Sequence, residues 1–228
     1  MRFAVVVVLA LLLVPSCAPV STSQQGTSVA AQKEVTSDTS INDLKKQQQV
    51  AESATRNPLE VPAFDDLKKR QGVKVSADGN TLNFPGGVTI THQGRFTVGD
   101  DNSGHGAVLC AWEMYLSVKK MTELCHFDGD KAFNGRLNRA INRIDDFIVA
   151  NSLSSVTKAE VEQQSIYLIE QNLPSPKGAD QEAAVRKQCA AEFKSLINDY
   201  RSMTPERFNG HIDDLLSVPR PAVMAPCL

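Results

Sequence analysis

The chain has 228 residues and a nearly balanced charge, with 24 basic and 26 acidic side chains and a formal net charge of −2. Hydrophobic residues make up 42% of the chain and charged residues 22%, which is ordinary for a globular protein. General nucleic-acid binding needs a basic face, and this balance gives no reason to expect one, so no nucleic-acid partner is predicted.

The first segment of the chain has the pattern of a secretory signal. Residues 3–14 read FAVVVVLALLLV and follow Arg2, as an apolar h-region follows a charged n-region. These twelve apolar residues are too few to cross a bilayer as a helix, which takes about 20 residues. We therefore predict that residues 1–17 direct export and that the mature chain does not span a membrane.

The end of this segment, Leu13-Val14-Pro15-Ser16-Cys17, resembles the lipobox of bacterial lipoproteins, with an aliphatic residue, a small residue and then cysteine. The resemblance implies that Cys17 carries the lipid and anchors the chain to a membrane. In that class an aspartate after the cysteine retains the protein at the inner membrane. Ala18 stands there in this chain, so the outer membrane is favoured. The alternative is ordinary cleavage after Ala18, which would give a soluble periplasmic or secreted protein.

A tether and then one folded domain are predicted to follow. Residues 18–60 are predicted to be a flexible tether, because residues 18–40 are rich in Ser, Thr and Gln and have no apolar period. Within the tether, residues 41–55 could form a weak helix. Residues 61–228 are enough for one domain with a real core, and they begin with a predicted helical turn at 63–71.

Residues 73–98 carry the clearest strand signal. Apolar residues alternate in short runs, and the breaks between the runs contain glycine beside Asn, Gln or Pro. This predicts a small antiparallel meander of three or four strands. Because such a sheet is not stable alone, we expect it to pack on the helices that follow. The link at 99–106 reads GDDNSGHG and is predicted to be a polar connector.

The rest of the chain is predicted to be helical. Apolar periodicity indicates helices at 107–124, 131–150, 158–171, 181–201 and 205–216. Thr157 and Glu160 have the spacing of a capping box, and Thr204 precedes a proline at the first helical position. The proline-containing tail at 217–228 is predicted to be extended. The fold class is therefore mainly α (α+β): a disulfide-stapled bundle of about five helices with a small N-terminal β-meander.

The cysteine count predicts two disulfides. Of five cysteines, four remain besides Cys17, and an even number in an oxidising compartment indicates disulfide pairing. Cys110 and Cys125 stand fifteen positions apart, or about 22 Å along a continuous helix, whereas a disulfide needs Cα atoms within about 7 Å. Each therefore pairs with Cys189 or Cys227, and both connectivities remain open.

No familiar catalytic or cofactor-binding motif occurs in the sequence, so no catalytic residue, cofactor or metal site is assigned. His126, Asp128 and Asp130 have a spacing that could hold a metal ion, but we interpret Asp128 or Asp130 as the N-cap of the helix at 131–150.

Two further features have simple structural interpretations. Arg136, Arg139 and Arg143 form a row that could hold phosphate or an acidic partner. We interpret the row as a solvated helix face balanced by Asp145 and Asp146. Trp112, the only tryptophan, is interpreted as a core residue.

Three functions are compatible with these features. The leading hypothesis is an envelope lipoprotein that acts through a protein partner as an accessory module. The second is a carrier of a small molecule or lipid, with a pocket lined by Trp112, Met114 and Phe133. The third, an enzyme of unknown type, would need clustered acid–base residues rather than scattered histidines.

Overall fold

The computed structural model describes residue 59 and residues 61–94, 96–127 and 129–227. The predictions for residues 1–58, including the signal, Cys17, most of the tether and the weak helix at 41–55, concern residues outside these ranges. Within the described ranges, no helix is both long enough and apolar enough to cross a membrane.

The meander is a four-stranded antiparallel sheet in which neighbouring strands follow one another along the chain. Its strands are β1 (Lys74–Val75), β2 (Thr81–Asn83), β3 (Val88–Gln93) and β4 (Phe96–Asp101). In the central register Leu82 lies opposite Ile90, and both side chains are buried. Strand β4 continues to Asp101, so the first three residues of the predicted connector at 99–106 belong to the sheet.

Helices form the rest of the domain. They are α1 (Phe64–Leu67), α2 (Val108–Leu124), α3 (Lys131–Asn151), α4 (Lys158–Asn172), α5 (Ala179–Gln188), α6 (Lys194–Ser202) and α7 (Pro205–Leu215). Between α5 and α6, residues Cys189–Phe193 form a π-helical turn, which the sequence pattern did not indicate. This mixture of helices with an antiparallel sheet confirms the α+β class.

The helix starts have the side-chain caps that the sequence indicated. Asp130 accepts a hydrogen bond from the Phe133 backbone N–H at 3.0 Å and caps α3. Thr157 and Glu160 form the complete capping box of α4. Each such cap satisfies a backbone donor that the first helical turn leaves free.

Two disulfides cross-link the domain, Cys110–Cys227 and Cys125–Cys189, each with a Cα–Cα distance of 5.5 Å. This is one of the two connectivities that the sequence left open. The first bond joins the beginning of α2 to the C-terminal tail. The second joins the residue after α2 to the π-helical turn.

The buried apolar residues form two clusters. The larger one lies among the helices and contains Trp112, Phe133 and Phe208. The smaller one lies under the sheet, where Leu82, Val88 and Ile90 are buried. The other members of the small cluster are Leu67, Phe84, Leu153 and Val223. We expected the sheet to pack on the long helices, but none of the buried residues in this cluster belongs to a long helix. Its non-sheet members come from α1, the residues after α3 and the tail.

The tail beyond α7 lies between the two clusters. It is extended, and side chains of consecutive extended residues point to opposite sides. Ala222 accordingly belongs to the helical cluster and Val223 to the sheet cluster. The Leu109 N–H donates to the Val223 carbonyl at 3.1 Å, and the Asp101 N–H donates to the Ala225 carbonyl at 2.7 Å. The tail is thus a layer of the fold that joins the sheet to α2.

A buried ion pair holds the start of this tail. Nε of Arg220 donates to Oδ2 of Asp101 at 2.6 Å, and both side chains are fully buried. The guanidinium also donates to the carbonyls of Gly106 and Val218, at 2.7 and 2.9 Å. Gly86, at φ +84°, faces this point, where an added Cβ would lie 2.6 Å from Cβ of Arg220. Only glycine combines this φ with so close an approach.

Candidate functional site

The larger of two described cavities has a volume of about 340 Å³ and lies where β4, α2, α4 and the tail meet. Most of its wall is apolar, as is usual for sites that bind small molecules. The apolar wall includes Val98, Leu109, Leu153, Leu168, Ala222 and Val223.

Besides the hydroxyl groups of Thr97 and Ser152, two larger polar side chains, Glu113 of α2 and Gln164 of α4, line the same cavity. Gln164 is only 9% exposed, and its amide has no hydrogen-bonding partner among the described residues. Glu113 is partly buried, and this burial raises the pKa of its carboxyl group. No described basic side chain forms an ion pair with it. The sequence analysis singled out neither residue, because each looks like one more polar side chain on an amphipathic helix.

Trp112 lines this cavity and is itself fully buried, as its interpretation as a core residue implies. Its indole Nε1 donates a hydrogen bond to Oδ1 of Asp145 at 2.7 Å. Asp145 is only 3% exposed, so the interpretation that it balances the arginine row of α3 is wrong. Burial raises the pKa of the Asp145 carboxyl group, and the hydrogen bond from Trp112 opposes this effect only in part.

We expect Asp145→Asn to be at least as stable as the native chain near neutral pH. The folded state disfavours the charged carboxylate, so the native chain loses stability as the pH rises from the ordinary Asp pKa of 3.8 through the raised folded-state pKa. Asparagine can still accept the Trp112 hydrogen bond without carrying charge. The gain of the variant should shrink as the pH falls toward about 4, where the native carboxyl group becomes protonated.

The matched control is Asp145→Leu, which removes the acceptor and leaves the indole N–H buried without a partner. A loss of about 1–3 kcal/mol is expected from this change. Urea unfolding at both pH values measures both variants. A lower stability of Asp145→Asn than of the native chain near neutral pH would contradict this account.

The arginine row of α3 makes contacts other than those predicted. Arg143 pairs with Asp213 of α7 at 2.7 Å. Arg136 lies over the rings of Phe133 and Phe208, 5.9 Å from each ring centroid. Asp146, the second predicted counter-charge, pairs instead with Lys158 at 2.7 Å. The predicted balance by Asp145 and Asp146 is wrong because those residues face α2 and α4, whereas Arg136 and Arg143 face α7.

The residues considered for a metal site have structural roles where they are described. The Phe133 backbone N–H and the Arg201 guanidinium hold the pKa of Asp130 below its ordinary value. His126 follows the end of α2 with a φ of +58°. Asp128 lies outside the described residues. In the described ranges, no three His, Cys, Asp or Glu side chains are grouped as metal ligands would be.

A second cavity, of about 240 Å³, brings together two of the histidines, His105 and His211, with Asp214. Nδ1 of His105 lies 2.9 Å from Oδ1 of Asp214, and Oγ of Ser217 lies 3.4 Å from the same nitrogen. The Ser217 hydroxyl donates to the Asp214 carbonyl at 2.7 Å. A serine nucleophile needs the acid on one imidazole nitrogen and the hydroxyl on the other. This trio therefore lacks the geometry of a catalytic triad.

The pocket predicted from Trp112, Met114 and Phe133 does not form as one site. Trp112 lines the larger cavity, Met114 lines the second, and Phe133 is 1% exposed in the helical core. Residues two apart on an α-helix point about 200° apart, so Trp112 and Met114 of α2 face different elements.

No protein-family model matches the chain, and no curated protein or solved structure gives a significant match.

Proposed function

We propose that this chain is an exported bacterial envelope lipoprotein whose folded domain is an accessory module for a protein partner. In this proposal a disulfide-stapled bundle of about five helices, with its N-terminal meander, stands on the tether and is anchored through Cys17. The two disulfides support export, because such bonds persist in oxidising compartments. The outer membrane is the proposed location, and a soluble periplasmic or secreted form is the alternative.

The observation that carries the partner-binding proposal is the exposure of three large apolar side chains on β4 and α4, two of the elements that border the larger cavity. Phe96 is 72% exposed, Ile166 66% and Tyr167 56%. Phe96 directly precedes the cavity residue Thr97, and the other two lie between Gln164 and Leu168. Large apolar side chains that are exposed to this extent mark interaction surfaces when they form one patch, so the proposal requires β4 and α4 to contact the same partner.

Photo-crosslinking in the native cell tests this surface. A photoreactive amino acid replaces Phe96 in one variant and Tyr167 in another. The control position is Val75, which is 47% exposed on β1, at the opposite edge of the same sheet. We expect both test positions to label one and the same envelope protein and Val75 not to label it. Equal labelling from all three positions, or none from any, would refute the proposed surface.

The anchor is tested separately by mass spectrometry of the mature N-terminus. A lipid-modified Cys17 at the N-terminus is expected in the native chain, and Cys17→Ser should abolish both the modification and the membrane association. An unmodified N-terminus at Pro19 would instead support cleavage after Ala18.

A second candidate function is the binding of a small molecule, which the larger cavity and the unpartnered amide of Gln164 favour. Native mass spectrometry of the chain purified from its envelope fraction tests this function. Extra mass that is lost on denaturation would support it. A mass that is the same before and after denaturation would leave the partner-binding proposal in front.

A further inference from the structure

The amide of Gln164 is the first indication of what the larger cavity binds. This side chain is nine-tenths buried, lines the cavity and has no partner among the described residues. Its amide atoms keep some contact with solvent, since Nε of Arg136 is the only described side-chain atom that is both fully buried and without a hydrogen bond. A ligand that supplies a hydrogen-bonding group would satisfy the amide of Gln164.

The carboxyl group of Glu113 is the second indication. It lines the same cavity, and burial is the only cause that shifts its pKa, which is raised. In the described part of the chain no Lys, Arg or His forms an ion pair with it. Lys120, about two helical turns further along α2, pairs with Glu170 at 3.1 Å and donates a hydrogen bond to Ser175 at 2.8 Å. The cavity therefore contains an acidic group to which no described basic side chain supplies a counter-charge.

We propose that the larger cavity binds a small molecule with an apolar body and one protonated amine. The ammonium group pairs with the Glu113 carboxylate, and the amide oxygen of Gln164 accepts another of its N–H groups. The apolar body lies against walls such as Val98 and Leu168. This inference rests on the second candidate function, small-molecule binding, and specifies its ligand class.

Charge favours the amine over other small amphiphiles. An anion would be repelled by Glu113, and a neutral alcohol would leave the partly buried carboxylate without a counter-charge. The indole N–H of Trp112 is already bonded to Asp145, so the tryptophan provides no donor for an acidic or carbonyl group of the ligand.

Volume limits the size of the ligand. A water molecule takes up about 30 Å³ of the liquid, so the cavity of about 340 Å³ has room for roughly ten non-hydrogen atoms. An aromatic ring with a short aminoalkyl chain has this size, whereas a two-chain lipid does not.

Three probes that share one carbon skeleton test the inference: 3-phenylpropylamine, 3-phenylpropan-1-ol and 3-phenylpropionate. They are titrated into the exported chain. Trp112 is the only tryptophan and lines the cavity, so its fluorescence reports on binding, and calorimetry provides an independent Kd. We expect the amine to bind at least about tenfold more tightly than the alcohol and the acid.

The variant Glu113→Gln preserves the shape of the side chain and removes its charge. It should reduce the affinity for the amine to that for the alcohol and leave the alcohol affinity unchanged. Glu123→Gln, at an exposed position of the same helix, is the matched control and should change neither affinity. Far-UV circular dichroism verifies that both variants are folded.

The outcomes separate the ligand class from the function on which it rests. If the alcohol or the acid binds as tightly as the amine, the cavity still binds small molecules, but the amine class is wrong. An amine preference that survives in Glu113→Gln would also overturn the proposed contact. If none of the probes binds by either method, both the ligand class and the small-molecule function fail.

Discussion

Replacing Arg220 by methionine is expected to lower the free energy of unfolding by about 3–5 kcal/mol, because it leaves the fully buried Asp101 without its counter-charge. The change also removes the donors to the carbonyls of Gly106 and Val218. Methionine fills a similar volume, so the loss reports the missing charge rather than a cavity. Urea unfolding followed by the fluorescence of Trp112 measures it.

Two comparisons identify the buried charge as the cause. Arg143→Met breaks an ion pair whose side chains are 46% and 64% exposed, and it should cost less than about 1 kcal/mol. Adding Asp101→Leu to Arg220→Met removes the unpaired charge and should recover part of the lost stability. If Arg220→Met costs no more than Arg143→Met, the pair does not hold the tail to the sheet.

The helices and strands were predictable because their signals are local. The helix at α3 has apolar residues at helical spacing and a cap at Asp130, and α4 has its complete capping box. The strands alternate between turns that contain glycine. Patterns of this kind need only a few neighbouring residues, and the predicted ends of the helices at 107–124, 131–150 and 158–171 lie within one residue of the observed ones.

The role of the tail was not predictable, because it depends on contacts between distant parts of the chain. Asp101 and Arg220 are 119 positions apart, and nothing near either residue indicates the pairing. The sequence of the proline-containing tail is typical of a chain terminus that does not pack on the domain. Only the assembled structure reveals that Ala222 and Val223 pack into different clusters.

The candidate site was predictable only where the signal of a residue is local. A lone tryptophan in an apolar helix indicates burial, and Trp112 is buried. A buried glutamine is harder to predict. Gln164 shares a helix face with Val161 and Leu168, three and four residues away, but a polar side chain does not count toward an apolar pattern. Its burial follows from the meeting of α2, α4, β4 and the tail, which the sequence does not specify.

Removing the Cys110–Cys227 disulfide, by Cys110→Ser with Cys227→Ser, should lower the free energy of unfolding about as much as Arg220→Met does. The cysteines are 117 positions apart, and the chain-entropy relation gives about 5 kcal/mol for a closed loop of that length. Changing both cysteines leaves no free thiol that could form a wrong pair. The matched variant, Cys125→Ser with Cys189→Ser, opens a loop of 64 residues and should cost about 4 kcal/mol.

The free energies of unfolding of the two disulfide variants should be too similar to distinguish them. The region of the fold that becomes more accessible to solvent should differ. The backbone amides of Leu109 and Asp101 donate to the tail carbonyls of Val223 and Ala225. If the Cys110–Cys227 bond holds the tail in place, these two amides should exchange with solvent faster in its variant and be little changed in the other. Amine binding should weaken in parallel, because Ala222 and Val223 are part of the cavity wall. Unchanged protection of both amides would mean that the Arg220 pair and the apolar contacts hold the tail without the disulfide.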